Sequence, residues 1–228
     1  MSDVPVTTRP QYDFLKPLTF VFEDPRWFQK IVFGGLFSLA GVILIGIFFI
    51  YGYLARLVRN VVAGVDLPLP EWEDLGDMFS EGAMLFVASM IYMVPFFFLV
   101  FLCVPFSVLA DVDNAAAQIL GGGGLVILMV VFIPISFALA VWVPAAMLHA
   151  AVKRDFRAAF DFRTIALFLR NNALNYVLAY LDWIVARFAA PLGFILCCVG
   201  VVLTGFWSMA VGAHAFAQAY RMSLPENR

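Results

Sequence analysis

The sequence predicts an all-α integral membrane protein with about six membrane helices (five to six), paired as three helical hairpins and joined by interfacial amphipathic helices. Three observations predict it. Of the 228 residues, 64% are hydrophobic and only 13% are charged, against about 25% charged in soluble chains. Nearly uncharged runs of roughly 18 residues or more recur, the length a helix needs to cross a bilayer. The Lys and Arg residues sit at the edges of those runs instead of forming a dense patch, which also excludes a nucleic-acid-binding footprint.

Residues 1–17 read as a polar N-terminal tail. It lacks the basic-then-apolar pattern of a cleaved signal, so the first apolar segment is expected to stay in the protein. A single membrane domain is expected over residues 18–222, with a C-terminal tail at 223–228. Asp24-Pro25 signals a helix start, because Asp can cap free backbone N–H groups and Pro suits the first helical position. Trp27 and Lys30 suit the membrane–water interface. Residues 31–54 are apolar but interrupted by Gly41 and Gly46, and Arg56 and Arg59 follow.

Next comes a polar island from Leu67 to Asp77, containing Pro68-Leu69-Pro70-Glu71-Trp72 with an exposed-looking Trp. Glu81 and Gly82 close it. The run from Ala83 to Ala110 holds Pro95 and Pro105, which should kink its helix. Asp111, Asp113 and Asn114 form a short polar loop. Gly121 to Gly124 reads as a flexible turn opening the next run, which reaches about Ala151 with Pro134 and Pro144 inside. Residues 153–170 interleave five basic residues with Phe, Ile and Leu, as an amphipathic segment lying along the interface does. Asp182 breaks a weaker apolar run, Asn171 to Ala186. Arg187 and Pro191 mark a turn before the last run, 192–219.

Charge orients these segments. Of the fourteen Lys and Arg residues, four precede the first apolar run, two lie in the 55–82 connection, five in 153–170 and two at the C-terminus. Basic connections stay cytoplasmic. The N-terminus, the polar island, the basic connection and the C-terminus should therefore share the cytoplasmic side of the cell membrane. Both ends of the first apolar run are then inside, which favours a hairpin of one short and one longer helix, broken near Gly41. A single crossing with the N-terminus outside is the rival, and the four basic residues there oppose it.

A weak internal repeat agrees with this topology, with units at about 18–64, 66–154 and 155–222. Each opens on an aromatic beside or near an Asp, namely Phe22-Glu23-Asp24, Trp72-Glu73-Asp74 and Phe160-Asp161. Asp24, Asp74 and Asp161 are accordingly expected to be equivalent helix caps.

Taken together, Phe22-Glu23-Asp24-Pro25-Arg26-Trp27, Gly34-Gly35, Gly52-Tyr53-Leu54-Ala55-Arg56, Arg59 and Pro68-Leu69-Pro70-Glu71-Trp72-Glu73-Asp74 resemble prokaryotic membrane proteins catalogued as domain-of-unknown-function family four-thousand-and-thirteen. The resemblance spans about residues 18 to 220, and Pro-Leu-Pro-Glu-Trp is its most specific piece. It implies a multi-pass prokaryotic membrane protein and supplies no catalytic residues. The chain has a vaguer likeness to the membrane domain joined to some glycerophosphodiester phosphodiesterases, without the hydrolase.

Several residues carry candidate chemistry. His149 and His214 are the only histidines and sit among small residues, where a haem or pigment could approach an imidazole ligand; a hydrogen bond between helices is the plainer role. Asp182 is an intramembrane acid and hence a transport candidate. Pro68, Pro70, Glu71 and Trp72 are the partner-docking or gate candidate, because a proline-framed Trp suits a binding hot spot or the mouth of the bundle.

The acids Glu71, Glu73, Asp74, Asp77 and Glu81 follow no calcium-loop spacing. Cys103, Cys197 and Cys198 form neither a CxxC pair nor a His-Cys cluster, so no metal is expected. The glycine run lacks the Lys-Ser/Thr of a phosphate loop, and no Ser has a nucleophile setting.

An enzyme is not expected, and no cofactor is assigned. The expected function is a scaffold or accessory subunit in contact with membrane lipids and with other membrane subunits or copies of itself. The alternatives are a small transporter or lipid-handling protein and a haem- or pigment-binding subunit.

Overall fold

The computed structural model describes residues 11–41 and 44–224, without the side chains of 196–199, and places eight α-helices there. The Cys197 and Cys198 side chains and most of the two tails lie outside the described residues. In chain order the helices are α1 (Lys16–Glu23), α2 (Trp27–Ala40), α3 (Ile45–Ala63), α4 (Leu75–Ala110), α5 (Ala115–Lys153), α6 (Phe162–Asn171), α7 (Ala173–Ala189) and α8 (Cys197–Ser223). Short 3-10 helices cover Phe156–Phe160 and Ala190–Leu196. Among the described residues five helical stretches are long and apolar enough to cross a membrane: Ile45–Ala63, Leu75–Ala110, Ala115–Lys153, Ala173–Ile195 and Gly200–Ser223. The protein is an all-α, multi-pass membrane protein built from three hairpins, α2–α3, α4–α5 and α7–α8.

The first apolar run is a hairpin and not one crossing. The Phe37 and Phe49 rings meet across it, with centroids 4.7 Å apart, and Leu44 takes a left-handed conformation (φ 66°) as α3 begins. At 1.5 Å per residue α2 reaches only about 21 Å, short of a hydrocarbon core of about 30 Å.

Buried side chains gather where the polar connections meet. Tyr53, Leu57, Met78, Phe206, Ala210 and Ala215 lie at the centre of this core. α3 and α4 cross there at glycines. A methyl group at Gly52 would overlap the backbone of Met78, and one at Gly82 would overlap the Phe48 carbonyl. The remainder of the α4–α5 hairpin leaves this core. Between residues 94 and 140 only Leu99 and Gly121 are buried, and outward-facing Phe97, Phe101, Ile127, Met129, Ile133 and Phe137 are all more than half exposed.

Several sequence expectations change here. The stretch from Tyr12 to Pro17 is not a free tail. α1 starts at Lys16, and Pro17, Phe20 and Val21 are buried because its apolar face docks on α8. Gly121 to Gly124 is no turn. Asn114 Oδ1 accepts from the backbone N–H of Ala116 and Ala117 and starts α5 six residues earlier, while Gly121 and Gly124 pack closely on Ala110 and Phe106 of α4. α4 is one helix that includes Pro95 and Pro105, and α5 one that includes Pro134 and Pro144, so the expected kinks do not end either helix. The basic 153–170 segment folds as the 3-10 helix Phe156–Phe160 followed by α6, whose Ile165 and Phe168 are buried.

Candidate functional site

Pro68, Leu69 and Pro70 are buried, and the two rings hold this strap extended across the first hairpin. Asn60 Nδ2 donates to the Pro68 carbonyl at 2.9 Å. Lys30 rises from α2 beneath the strap, and its side chain is only 4% exposed. Its ammonium meets Asp24 Oδ2 at 2.6 Å, Glu71 Oε1 at 2.7 Å and the Leu69 carbonyl at 2.9 Å. Asp24 Oδ2 and the Leu69 carbonyl accept hydrogen bonds from the ammonium, and Glu71 adds a second negative charge in ion-pair contact. Arg26 Nη2 closes the network on Glu71 Oε1 at 2.7 Å.

This overturns two expectations. Lys30 is not an interfacial anchor, because paired acids and a carbonyl enclose it. Asp24 lies at the C-terminus of α1, and although it accepts from the Arg26 N–H at 2.8 Å, its main partner is Lys30. Burial raises the Asp24 carboxyl pKa, but the Lys30 hydrogen bond, the Arg26 N–H and their charges outweigh this and hold it below the usual value.

Trp72 is not exposed either. Its ring stacks on Tyr53 at 4.3 Å and on Phe37 at 4.8 Å, and Nε1 donates to the Lys30 carbonyl at 3.0 Å. The strap thus clasps α2 and α3 from above, and Glu71 supplies its charge. Asp74 is not a side-chain cap. It starts α4 in a left-handed conformation (φ 51°) with no cap hydrogen bond from its carboxylate. Arg56 fixes this turn instead, donating to the Glu73 and Asp74 carbonyls at 2.8 and 3.2 Å. Asp161 accepts from the Thr164 N–H at 3.1 Å and from its hydroxyl at 2.6 Å at the start of α6. The three acids of the repeat therefore have three different surroundings.

Asp182 lies on α7, fully buried. The Tyr12 hydroxyl donates to its Oδ2, and Oδ1 has no partner among the described residues. Burial and the Asp182 carboxylate push the Tyr12 phenol well above its ordinary pKa, so it remains a donor. Arg187 lies over the Trp183 ring, 5.9 Å from its centroid, and forms no ion pair with Asp182. Sequence reasoning missed Tyr12, because nothing local links it to a residue 170 positions away.

The histidines do not converge. His149 Nδ1 lies 2.9 Å from the Tyr220 hydroxyl, and the His214 ring stacks on Phe20 at 4.2 Å. Phe20 thus covers one face of the buried His214 ring. His149 is an interhelical hydrogen-bonding residue. No group of three or more His, Cys, Asp or Glu side chains is placed to hold a metal among the described residues.

A family model described as "Protein of unknown function (DUF4013)" matches residues 35–204, from within α2 to within α8. The chain belongs to the DUF4013 family. No curated protein and no solved structure matches it, so the vaguer likeness to glycerophosphodiester phosphodiesterases gains no support. The DUF4013 match takes in the strap, the α3–α4 crossing, His149 and Asp182. It begins after Asp24 and Lys30 and ends before His214. The clasp is therefore assembled from a strap inside the match and a charged pair outside it.

Proposed function

We propose that the protein is a non-catalytic component of a prokaryotic cytoplasmic membrane, a scaffold or accessory subunit that associates with other membrane proteins or with its own copies. The observation that carries this is the free part of the α4–α5 hairpin. Over residues 94–140 its apolar side chains find no cover in their own chain beyond the hairpin itself. The charged groups at the other end are mostly tied into the clasp and its neighbours. Basic connections lie at that end too, which supports cytoplasmic termini.

A photo-crosslinking side chain at Phe101 or Ile127 should give discrete protein adducts in native membranes, and one at Phe188, 81% exposed on α7, should give far fewer. Lipid adducts alone at Phe101 and Ile127 would remove the scaffold reading.

A small transporter is the second reading, favoured by the partnerless Oδ1 of fully buried Asp182. Asp182→Asn is then expected to abolish proton- or cation-driven uptake in proteoliposomes while the protein still folds. Equal flux in the two proteins ends that role for Asp182.

A further inference from the structure

A cleft of about 330 Å³ opens between α3, α4 and α5, where the polar connections meet. Its floor is apolar and includes Met84 and Leu85. Its rim carries Arg59, Arg154, Glu81 and Asp77. Glu81 divides its carboxylate between the two guanidinium groups, with Oε2 2.6 Å from Arg59 Nη2 and Oε1 2.9 Å from Arg154 Nη2. Arg59 also donates to the Ala151 carbonyl at 3.2 Å. Two positive charges thus share one negative charge, and each guanidinium keeps N–H donors beyond those used on Glu81.

Two features make this a built arrangement. Arg154 ends α5 in a left-handed conformation (φ 54°), which a non-glycine residue adopts at a cost, and its side chain stays 63% exposed at the rim. Arg56 fixes the first turn of α4, which sets Asp77 and Glu81 four residues apart on one helix face. Asp77 forms no ion pair among the described residues. The rim therefore carries two guanidinium groups that share Glu81 and, one turn away on α4, the Asp77 carboxylate, which is in no ion pair among the described residues.

We propose that this cleft binds a phosphoethanolamine group, with its phosphate on Arg59 and Arg154 and its ammonium on Asp77. Arginine forks match phosphate oxygens in pairs, and an exposed carboxylate accepts an ammonium group. The cleft lies where apolar spans give way to charged connections, the level of lipid headgroups, and Met84 and Leu85 would meet the first carbons of an attached glycerol. The same group also occurs in free phosphoethanolamine, and the two sources are separated by experiment.

The test uses the full-length protein in nanodiscs, with native mass spectrometry of retained lipid and phosphorus NMR of soluble ligand. Phosphatidylethanolamine is expected to be retained over phosphatidylglycerol. Arg154→Gln should weaken retention of both at least tenfold, and Asp77→Asn should weaken only phosphatidylethanolamine. Unchanged melting of both variants shows that the fold is intact, as expected for side chains on an open rim. If soluble phosphoethanolamine displaces the lipid, the site holds and its ligand is the free group. The proposal is overturned if neither ligand binds, if the two lipids bind equally, or if both variants retain phosphatidylethanolamine like the parent protein.

Discussion

Replacing Asp24 with alanine is expected to destabilise the protein by about 3–5 kcal/mol, because it leaves the enclosed Lys30 ammonium short of its closest anion. Lys30→Met should cost a similar amount for the complementary reason. The double variant Asp24→Ala/Lys30→Met should be much closer to the parent than either single change, since removing both members of a buried pair is often nearly neutral. Glu71 keeps Arg26 in that variant, so no new bare charge is created. Thermal unfolding of all four proteins in one detergent measures the coupling, and additive losses would show that the pair is not the source of the stability.

The same pair sets a dependence on acid. Asp24 is held below its ordinary pKa in the folded protein. A depressed carboxyl contributes stability that is fully present above the unfolded value, about 4. That stability is lost as pH falls through the lower folded value. The parent protein should therefore lose melting temperature below about pH 4, and the double variant should lack that part of the slope.

Gly82→Ala is expected to be the other severe substitution, costing about 3 kcal/mol or more. Overpacking of a tight core usually costs 1–3 kcal/mol, but here the obstruction is backbone. The new methyl group would overlap the Phe48 carbonyl and stand 2.8 Å from the Gly52 nitrogen. No rotamer relieves that contact, so α3 and α4 must separate. Separation would also loosen Arg59 from Glu81 of α4 and Arg56 from the turn that precedes it. Gly122→Ala and Gly123→Ala are the controls. Nothing lies within 4 Å of either new methyl, and both should stabilise α5 by up to about 1 kcal/mol through helix propensity. Equal melting of Gly82→Ala and Gly123→Ala would refute the close crossing.

The apolar runs, the three hairpins and the clustering of charged connections could be read from the sequence, because chain length, hydropathy and Lys/Arg placement act locally. The clasp could not. Lys30 stands next to an apolar run, where such a residue usually reaches outward to water. Its burial depends on Leu69 and Glu71, about forty residues away. Trp72 sits between two acids and looks exposed, yet Phe37 and Tyr53 of the first hairpin receive its ring. The glycines of α5 illustrate the reverse case. Glycine breaks helices in water, but an apolar setting leaves the backbone no other partner for its hydrogen bonds, and a neighbouring helix can then approach closely.

The shallow first hairpin has a consequence for the surrounding lipid. A hairpin limited to about 21 Å on its α2 side cannot span a hydrocarbon core of about 30 Å. The α4–α5 and α7–α8 hairpins do reach across it, because α7 continues through the 3-10 turn to Ile195 as a stretch of 23 residues and the other three helices are longer. Six helices then fill the monolayer they enter from, whereas only four reach the far surface of the other. The protein's cross-section is wedge-shaped, larger in the monolayer it enters from, so it should favour regions that bulge toward that side over flat bilayer.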